Sequence, residues 1–108
     1  MKKFLVLYLS PVSARQQMEG ATPEQRKAGM EAWMAWAGRA GKAIVDLGAP
    51  LGEGVVVGGE KHPGSIGGFS ILQAESEEAI KHVLHGHPHL MMPGASIHVL
   101  DFLPMPGM

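Results

Sequence analysis

Every position from Phe4 to Leu9 is apolar, and Ser10-Pro11 ends the run. Because side chains of a strand alternate between its two faces, a strand with this sequence is apolar on both faces. We therefore predict a central strand over Lys3 to Ser10, with another layer packed on each face. The following stretch, Val12 to Ala21, is more polar and is predicted to be a connection.

A helical pattern follows this connection. Thr22 can cap a helix, Pro23 suits its first position, and Gln25 can complete a capping box. Apolar side chains then recur every three or four residues, which predicts a helix that runs to about Leu47 and stops at Gly48. The apolar stripe that we expect to pack on the sheet is Met30, Trp33, Met34, Ala37, Ala40, Gly41, Ile44 and Leu47.

Two strands are predicted next, and they should form a hairpin. Val55 to Val57, within the stretch from Gly52 to Gly59, is the second strand, and Ile66 to Ala74 is the third. A glycine-rich loop from Gly58 to Ser65 joins them. It lacks the strand–loop–helix context of a phosphate-binding loop, because another strand follows. His62 in this loop is interpreted as a solvated residue.

The C-terminal part of the chain combines a helix, a histidine-rich turn and a strand. Ser76 can cap the helix, and Gly86 is its natural stop. One face of this helix carries Ile80, Val83, Leu84 and His87. The last strand is predicted over Ser96 to Leu103, where alternation puts His98 and Asp101 on opposite faces.

The element order is strand, helix, strand, strand, helix, strand. This order predicts an α+β fold of the ferredoxin-like βαββαβ type, with a four-stranded antiparallel sheet and two helices on one face. The other face of the sheet would still be apolar. Because a large exposed apolar area marks an interface, we expect a homodimer in which two sheets face each other through this open face.

Composition and charge narrow the possible functions. The chain of 108 residues is 45% hydrophobic with a net charge of -1, which indicates a single folded domain over 1–108 and no electrostatic footprint for nucleic acid. It has no cysteine, so disulfides and thiolate chemistry are excluded. The first apolar run is too short for a membrane span or a signal peptide, so we predict no membrane association and a cytoplasmic location.

With these elements in place, the chain resembles the YCII-related family, which includes the DGPF-domain proteins. The parts that carry the resemblance are the opening Lys3 to Tyr8, the run Ile66 to Ala79, and His87-Pro88-His89-Leu90 leading into Ile97-His98-Val99. The resemblance implies a small dimeric α+β barrel. Most members have no assigned reaction. A few resemble lyases or dehalogenating enzymes that act on small ring compounds, and some are proposed to use a His/Asp pair.

The sequence departs from the family pattern in two places. The DGPF tetrapeptide is absent, and the loop reads Gly59-Glu60-Lys61-His62-Pro63-Gly64. The last strand of the family often carries an acidic residue, a basic residue and then proline, whereas His98, Leu100 and Asp101 occupy the corresponding positions here. The acid–base roles of the family therefore do not carry over to this chain.

The histidines of the C-terminal part are the candidates for chemistry. Neutral imidazole is a good general base near neutral pH, so His89, His98 and Asp101 are the predicted catalytic residues. The residues expected to line the substrate site are Tyr8, Trp33, Trp36, His87 and Phe69. The simpler interpretation is that the histidines build a turn through hydrogen bonds to the backbone and that Trp36 is a partly buried flank of its helix.

The same histidines raise the question of a metal. His85, His87 and His89 are of the residue type that binds zinc, nickel or copper. Pro88 stands between the last two and works against simultaneous chelation, so neither a metal nor another cofactor is assigned. Three functions stay open: a small-molecule enzyme acting on a cyclic or aromatic compound, a non-catalytic small-molecule-binding or accessory domain, and a purely structural dimerisation module.

Overall fold

The computed structural model describes residues 1–59 and 65–106 of the chain. Its elements, in chain order, are β1 (Lys2–Ser10), α1 (Ala14–Gly20), α2 (Pro23–Ala40), β2 (Ile44–Pro50), β3 (Ser65–Ala74), α3 (Glu77–Leu84) and β4 (Ser96–Asp101). Short 3₁₀ helices cover Gly41–Ala43 and Pro88–Met91. The four strands form one antiparallel sheet in the order β2-β3-β1-β4. The predicted α+β class and ferredoxin-like arrangement are therefore confirmed.

The central position of β1 follows from its two apolar faces. Phe4, Val6 and Tyr8 lie on one face and are almost fully buried under α2 and α3. This covered face of the sheet carries the hydrophobic core, which Trp36 joins from α2 and Ile80 joins from α3. The opposite face of β1 presents leucines that stay partly exposed. We call this side the open face; the residues that define it are Leu5, Leu7 and Leu9 on β1, with Phe69, Ile71, His98 and Leu100 opposite them on β3 and β4.

The long predicted helix was wrong in its last part, from Gly41 to Leu47. The helix ends at Ala40, because Gly41 adopts a positive φ of 52° that an L side chain rarely tolerates. Ile44 to Pro50, predicted to close this helix and the turn after it, instead forms β2. The chain reverses earlier than the apolar periodicity indicated, so a local glycine overrides the pattern that continues beyond it.

The predicted position of the second strand was wrong as well. Val55 and Val57 lie outside any strand, and each is 92% exposed. The predicted hairpin between Val55–Val57 and the third strand is therefore not formed; β3 instead pairs antiparallel with β2, which lies earlier in the chain. The loop prediction for His62 falls outside the described residues.

Gly48 is the position where β2 comes closest to β3. Its φ is 82°, and a Cβ atom there would lie 1.7 Å from the carbonyl oxygen of Phe69. The Asp46 carboxylate accepts a hydrogen bond from the Gly48 N–H at 2.8 Å, which holds the irregular turn within the strand. This irregularity matters for the site, because it lets the neighbouring Leu47 carbonyl meet Ser70 under the covered face.

The connection after β1 contains a helix that was not predicted. In α1, Ser13 and Gln16 form a complete capping box, since each side chain binds the backbone N–H of the other residue. The C-terminal helix and strand are confirmed, but α3 ends at Leu84, so His87 lies beyond the helix and not on its face, and the last strand ends at Asp101. Among the described residues, no helix is both long enough and apolar enough to cross a membrane.

The apolar stripe of α2 is only partly buried. Trp33, Ala37 and Ala40 pack against the core as predicted, but Met30 and Met34 are 64% and 55% exposed. Trp36, placed at the edge of the stripe from sequence, is instead among the most buried side chains at 1% exposure. The helix is thus rotated toward Trp36 relative to the predicted orientation.

Candidate functional site

Five aromatic rings meet under the covered face, and His87 lies among them. We call this group the His87 cluster; its members are Tyr8, Trp33, Trp36, His87 and His89. The ring of Tyr8 stacks on that of His87 with 5.0 Å between centroids and an angle of 27°. Trp33 and Trp36 present their rings edge-on to His87 at 4.5 and 4.3 Å. The imidazole is therefore enclosed by aromatic surfaces, and its exposed fraction is 0%.

The members of the cluster come from three parts of the fold. Tyr8 comes from the inward face of β1, and the two tryptophans lie three residues apart on α2, so both point to the sheet. Trp36 is fixed further because its Nε1–H donates to the Val83 carbonyl of α3 at 3.1 Å. His87 and His89 flank the start of the Pro88–Met91 3₁₀ helix, directly after α3. The cluster therefore joins the sheet, α2 and the end of α3.

A short chain of hydrogen bonds orients Tyr8. Its hydroxyl donates to Ser70 Oγ at 2.8 Å, and the Ser70 hydroxyl in turn donates to the Leu47 carbonyl at 2.6 Å. Burial raises the pKa of Tyr8, while the hydrogen bond with Ser70 acts in the opposite direction. Tyr8 is therefore a neutral phenol near neutral pH, committed as a donor to Ser70.

His87 has one nitrogen satisfied and one unsatisfied. Its Nδ1 accepts the backbone N–H of His89 at 3.0 Å. Its Nε2 is buried and has no hydrogen-bond partner among the residues that the structure describes. Burial first, then the positive charges of His89 and Arg39, lower the pKa of His87 to about 4. The imidazole is thus neutral at neutral pH, and with Nδ1 acting as an acceptor its proton resides on Nε2.

His89 has a different role from its neighbour. Its Nε2 lies 2.8 Å from the Leu9 carbonyl and 3.2 Å from the Ser96 carbonyl. Since both partners are acceptors, this nitrogen carries a proton and donates to them. The ring therefore fastens the end of β1 to the start of β4, which matches the simpler expectation that these histidines bind the backbone.

The remaining predicted residues lie away from the cluster. On the open face, His98 pairs with Leu7, and Leu7 pairs on its other side with Phe69, so these three side chains form one row across the sheet. Asp101 pairs with Phe4 and therefore lies on the opposite side of β4 from His98. The structure thus brings together Tyr8, the two tryptophans and His87, and it separates them from Phe69, which was predicted to line the same site, and from His98.

Sequence reasoning did not assign Ser70 to the site. The signal that could have found it is a hydroxyl at an inward position of β3, where the alternate residues Leu72 and Ala74 are apolar and buried. A polar residue in such a position needs a hydrogen-bond partner, and Tyr8 is the polar residue at the equivalent depth of β1. The Leu47 carbonyl could not have been found, because the strand that carries it was predicted as helix.

The histidines do not assemble into a metal centre within residues 1–59 and 65–106. No group of three histidine, aspartate or glutamate side chains there lies close enough to hold a metal ion. The reason is visible in the turn itself, since His85 is exposed while His87 is buried and His89 binds two carbonyls.

A shallow groove of about 520 Å³ lies at another part of the molecule. It runs between the start of α1 and the chain that follows β2, with Ser13, Gln16 and Val56 among its lining residues. No buried side-chain nitrogen or oxygen of its lining lacks a hydrogen-bond partner in the described part of the chain. The groove therefore shows no counterpart of the unsatisfied nitrogen of His87.

Comparison with known proteins does not add an assignment. No protein-family model matches the chain, and no curated protein matches its sequence.

Proposed function

We propose that this protein is a YCII-like small-molecule-binding domain whose ligand occupies the His87 cluster. The observation that carries the proposal is the buried Nε2–H of His87, which has no partner among the described residues. A buried donor without a partner costs about 1–3 kcal/mol, so proteins seldom retain one without a use. A ligand that accepts this hydrogen bond would remove the cost.

The aromatic surroundings support a ring compound as the ligand. Tyr8, Trp33 and Trp36 offer flat apolar surfaces around the imidazole. Small-molecule sites are typically apolar with a few placed polar groups, and a single donor among three aromatic rings has this character. The ring contacts and the single unsatisfied donor together favour a small cyclic ligand with one polar anchor.

Binding is better supported than catalysis by the state of the polar groups. Because the pKa of His87 is low, its ring is neutral at neutral pH and cannot act as an imidazolium acid. Its basic nitrogen, Nδ1, already accepts the backbone N–H of His89 and so cannot act as a base. The hydroxyl of Tyr8 is committed to Ser70, and the Nε2 of His89 is committed to two carbonyls. None of these groups is therefore poised to move a proton.

An acid–base enzyme is the second candidate, and His98 is the observation in its favour. Its side chain is exposed on the open face, in the row that also contains Leu7 and Phe69. If two protomers pack through their open faces, this row would line the space between them. An enzyme of this kind would use His98 as its base and would be inactivated by His98→Gln. The roles predicted for His89 and Asp101 belong to the same candidate.

We also infer that the protein acts as a homodimer through the open face. Leucines at positions 5, 7 and 9 leave this face partly exposed, and Leu100 is 50% exposed beside them. A contiguous apolar surface of this kind favours a protein interface. A cytoplasmic location belongs to the same proposal.

The proposed site is tested by ligand-induced stabilisation. Purified protein is screened by thermal shift against small ring compounds, in parallel with His87→Phe and His98→Gln. Because a ligand that binds the native state raises the unfolding midpoint, a hit lost in His87→Phe but kept in His98→Gln supports binding in the His87 cluster. The reverse pattern would favour the enzyme on the open face, and hits that survive both substitutions would contradict both sites.

A further inference from the structure

The tautomer of His87 determines which ligands can form a hydrogen bond with its unsatisfied nitrogen, Nε2. A neutral imidazole has one N–H and one lone pair. The backbone N–H of His89 points at Nδ1 at 3.0 Å, so the lone pair is on Nδ1 and the proton is on Nε2. Nε2 is therefore a hydrogen-bond donor, and its complement is an acceptor atom. A ligand whose polar group is only a donor, such as an ammonium, would leave the N–H unsatisfied.

The burial of the residues around His87 Nε2 determines which charge state of a ligand the site can accept. Tyr8, Trp36 and His87 are 3%, 1% and 0% exposed, so the surroundings of Nε2 are nearly dry. A carboxylate that entered would lose its hydration and gain a single neutral donor, and one such hydrogen bond does not offset the free energy of desolvation. Of the two side chains whose positive charge acts on His87, His89 has its Nε2 bound to two carbonyls and Arg39 is exposed to solvent. An uncharged acceptor therefore suits the site better than an anion.

Access to His87 depends on Trp33. Trp33 and His89 are the only members of the cluster that are not fully buried. His89 is fixed by its bonds to the Leu9 and Ser96 carbonyls, whereas no hydrogen bond of Trp33 is present among the described residues. Trp33 is therefore the ring that can move without breaking a hydrogen bond, and a ligand that reaches His87 replaces or displaces it.

Building on the proposed function, we propose that the His87 cluster selects a planar, uncharged carbonyl compound whose carbonyl oxygen accepts the Nε2–H of His87. The flat ring of the ligand lies against Tyr8 and Trp36, in contact with the displaced Trp33. No bond is made or broken in this step, which is recognition alone.

Four probes of nearly equal size test this selection. Phthalide is a fused aromatic lactone with an uncharged carbonyl; indane has the same bicyclic shape with no acceptor; isoindoline carries an ammonium at neutral pH; benzoate carries an anion. Each is titrated into the full chain while the tryptophan fluorescence and the ¹⁵N–¹H correlation of the histidine rings are recorded. We expect phthalide to bind at least tenfold more tightly than the other three and to shift the Nε2 signal of His87.

Two variants separate the donor from the shape of the site. His87→Gln keeps an amide N–H in place of Nε2–H and should retain the preference for phthalide over indane, whereas His87→Phe should bind both equally. The ring signals of the unsubstituted protein give the answer even if a variant does not fold. Tight binding of indane, benzoate or isoindoline with a shifted His87 signal would overturn the carbonyl selection and leave the proposed site intact. If none of the four probes perturbs His87 or Trp33, both the selection and the proposed site are contradicted.

Discussion

The two faces of one sheet have different chemistry although the same strand supplies both. On the covered face, β1 carries Phe4, Val6 and Tyr8, each at most 3% exposed. On the open face it carries three leucines that remain partly exposed. The covered face also holds polar groups that are bonded to one another, such as Tyr8 and Ser70. This difference is the basis for proposing ligand recognition at the covered face and assembly at the open face.

The largest effect should come from removing a core side chain of the covered face. Trp36→Ala deletes a ring that is 1% exposed and a hydrogen bond to Val83, so we expect unfolding to become easier by about 3–5 kcal/mol. Chemical denaturation measures this change. Met34→Ala on the same helix is the matched control, because its side chain is 55% exposed and the expected loss is below about 0.5 kcal/mol. Equal losses in the two variants would show that α2 does not pack through Trp36.

The next effect is the pH dependence that His87 imposes. Its pKa is about 4 in the folded state and 6.5 in the unfolded state, so the unfolded chain binds more protons between these values. Stability from this group is therefore fully present above about pH 6.5 and is lost as the pH falls toward about 4, by roughly 3 kcal/mol.

This pH effect is measured as the difference between unfolding free energies of the unsubstituted protein and His87→Phe from pH 4 to pH 8. The difference removes the contribution of carboxylates, which titrate in both proteins. A difference that does not change with pH would mean that His87 becomes charged without penalty and is not buried as described.

A smaller effect is expected at the hydroxyl that joins β3 to β1. Ser70→Ala leaves the Tyr8 hydroxyl and the Leu47 carbonyl without their partner, which should cost about 1–3 kcal/mol. Ser96→Ala is the control on the open side of β4, where a change within about 0.5 kcal/mol is expected. In a double-mutant cycle with Tyr8→Phe, the losses should not add, and additive losses would argue against the bond between the two hydroxyls.

The smallest change in protomer stability, within about 1 kcal/mol, is expected for Leu7→Glu on the open face. Its effect should be seen in assembly instead, because a carboxylate in the centre of a paired apolar face would prevent the faces from meeting. Sedimentation at micromolar concentration should show a dimer for the unsubstituted protein and a monomer for Leu7→Glu. Met34→Glu on the outer side of α2 should stay dimeric. An unsubstituted protein that sediments as a monomer would contradict the homodimer.

The parts of the fold that could be predicted are those with strong local patterns. The apolar run of β1, the cap and period of α3 and the alternation of β4 each indicate one structure, and the element order followed from them. The end of α2 could not be predicted, because apolar residues continue at helical spacing after Gly41 and only tertiary pairing with β3 makes that stretch a strand. Val55 to Val57 has strand composition but no strand to pair with in the described residues.

The sequence singled out the residues that form the His87 cluster, together with Phe69, His98 and Asp101, which lie elsewhere, and it did not indicate the hydrogen bonds of the cluster. The aromatic residues and His87 could be grouped from the faces of their elements. Which nitrogen of each histidine is occupied depends on carbonyl groups of distant segments, such as Leu9 for His89. Such contacts produce no periodic pattern in the sequence, so the different hydrogen-bond roles of His87 and His89 could not be predicted before the fold was known.

The strand order also has a consequence for how the chain folds. β1 is made first but lies between β3 and β4, so its partners begin only at Ser65 and Ser96. During synthesis the uncharged segment from Phe4 to Leu9 therefore stays unpaired until most of the chain has been made. Such segments are prone to self-association, and late pairing across a long sequence separation slows folding. We expect refolding yield to fall steeply with protein concentration and to depend on chaperones more than the small size of the domain would suggest.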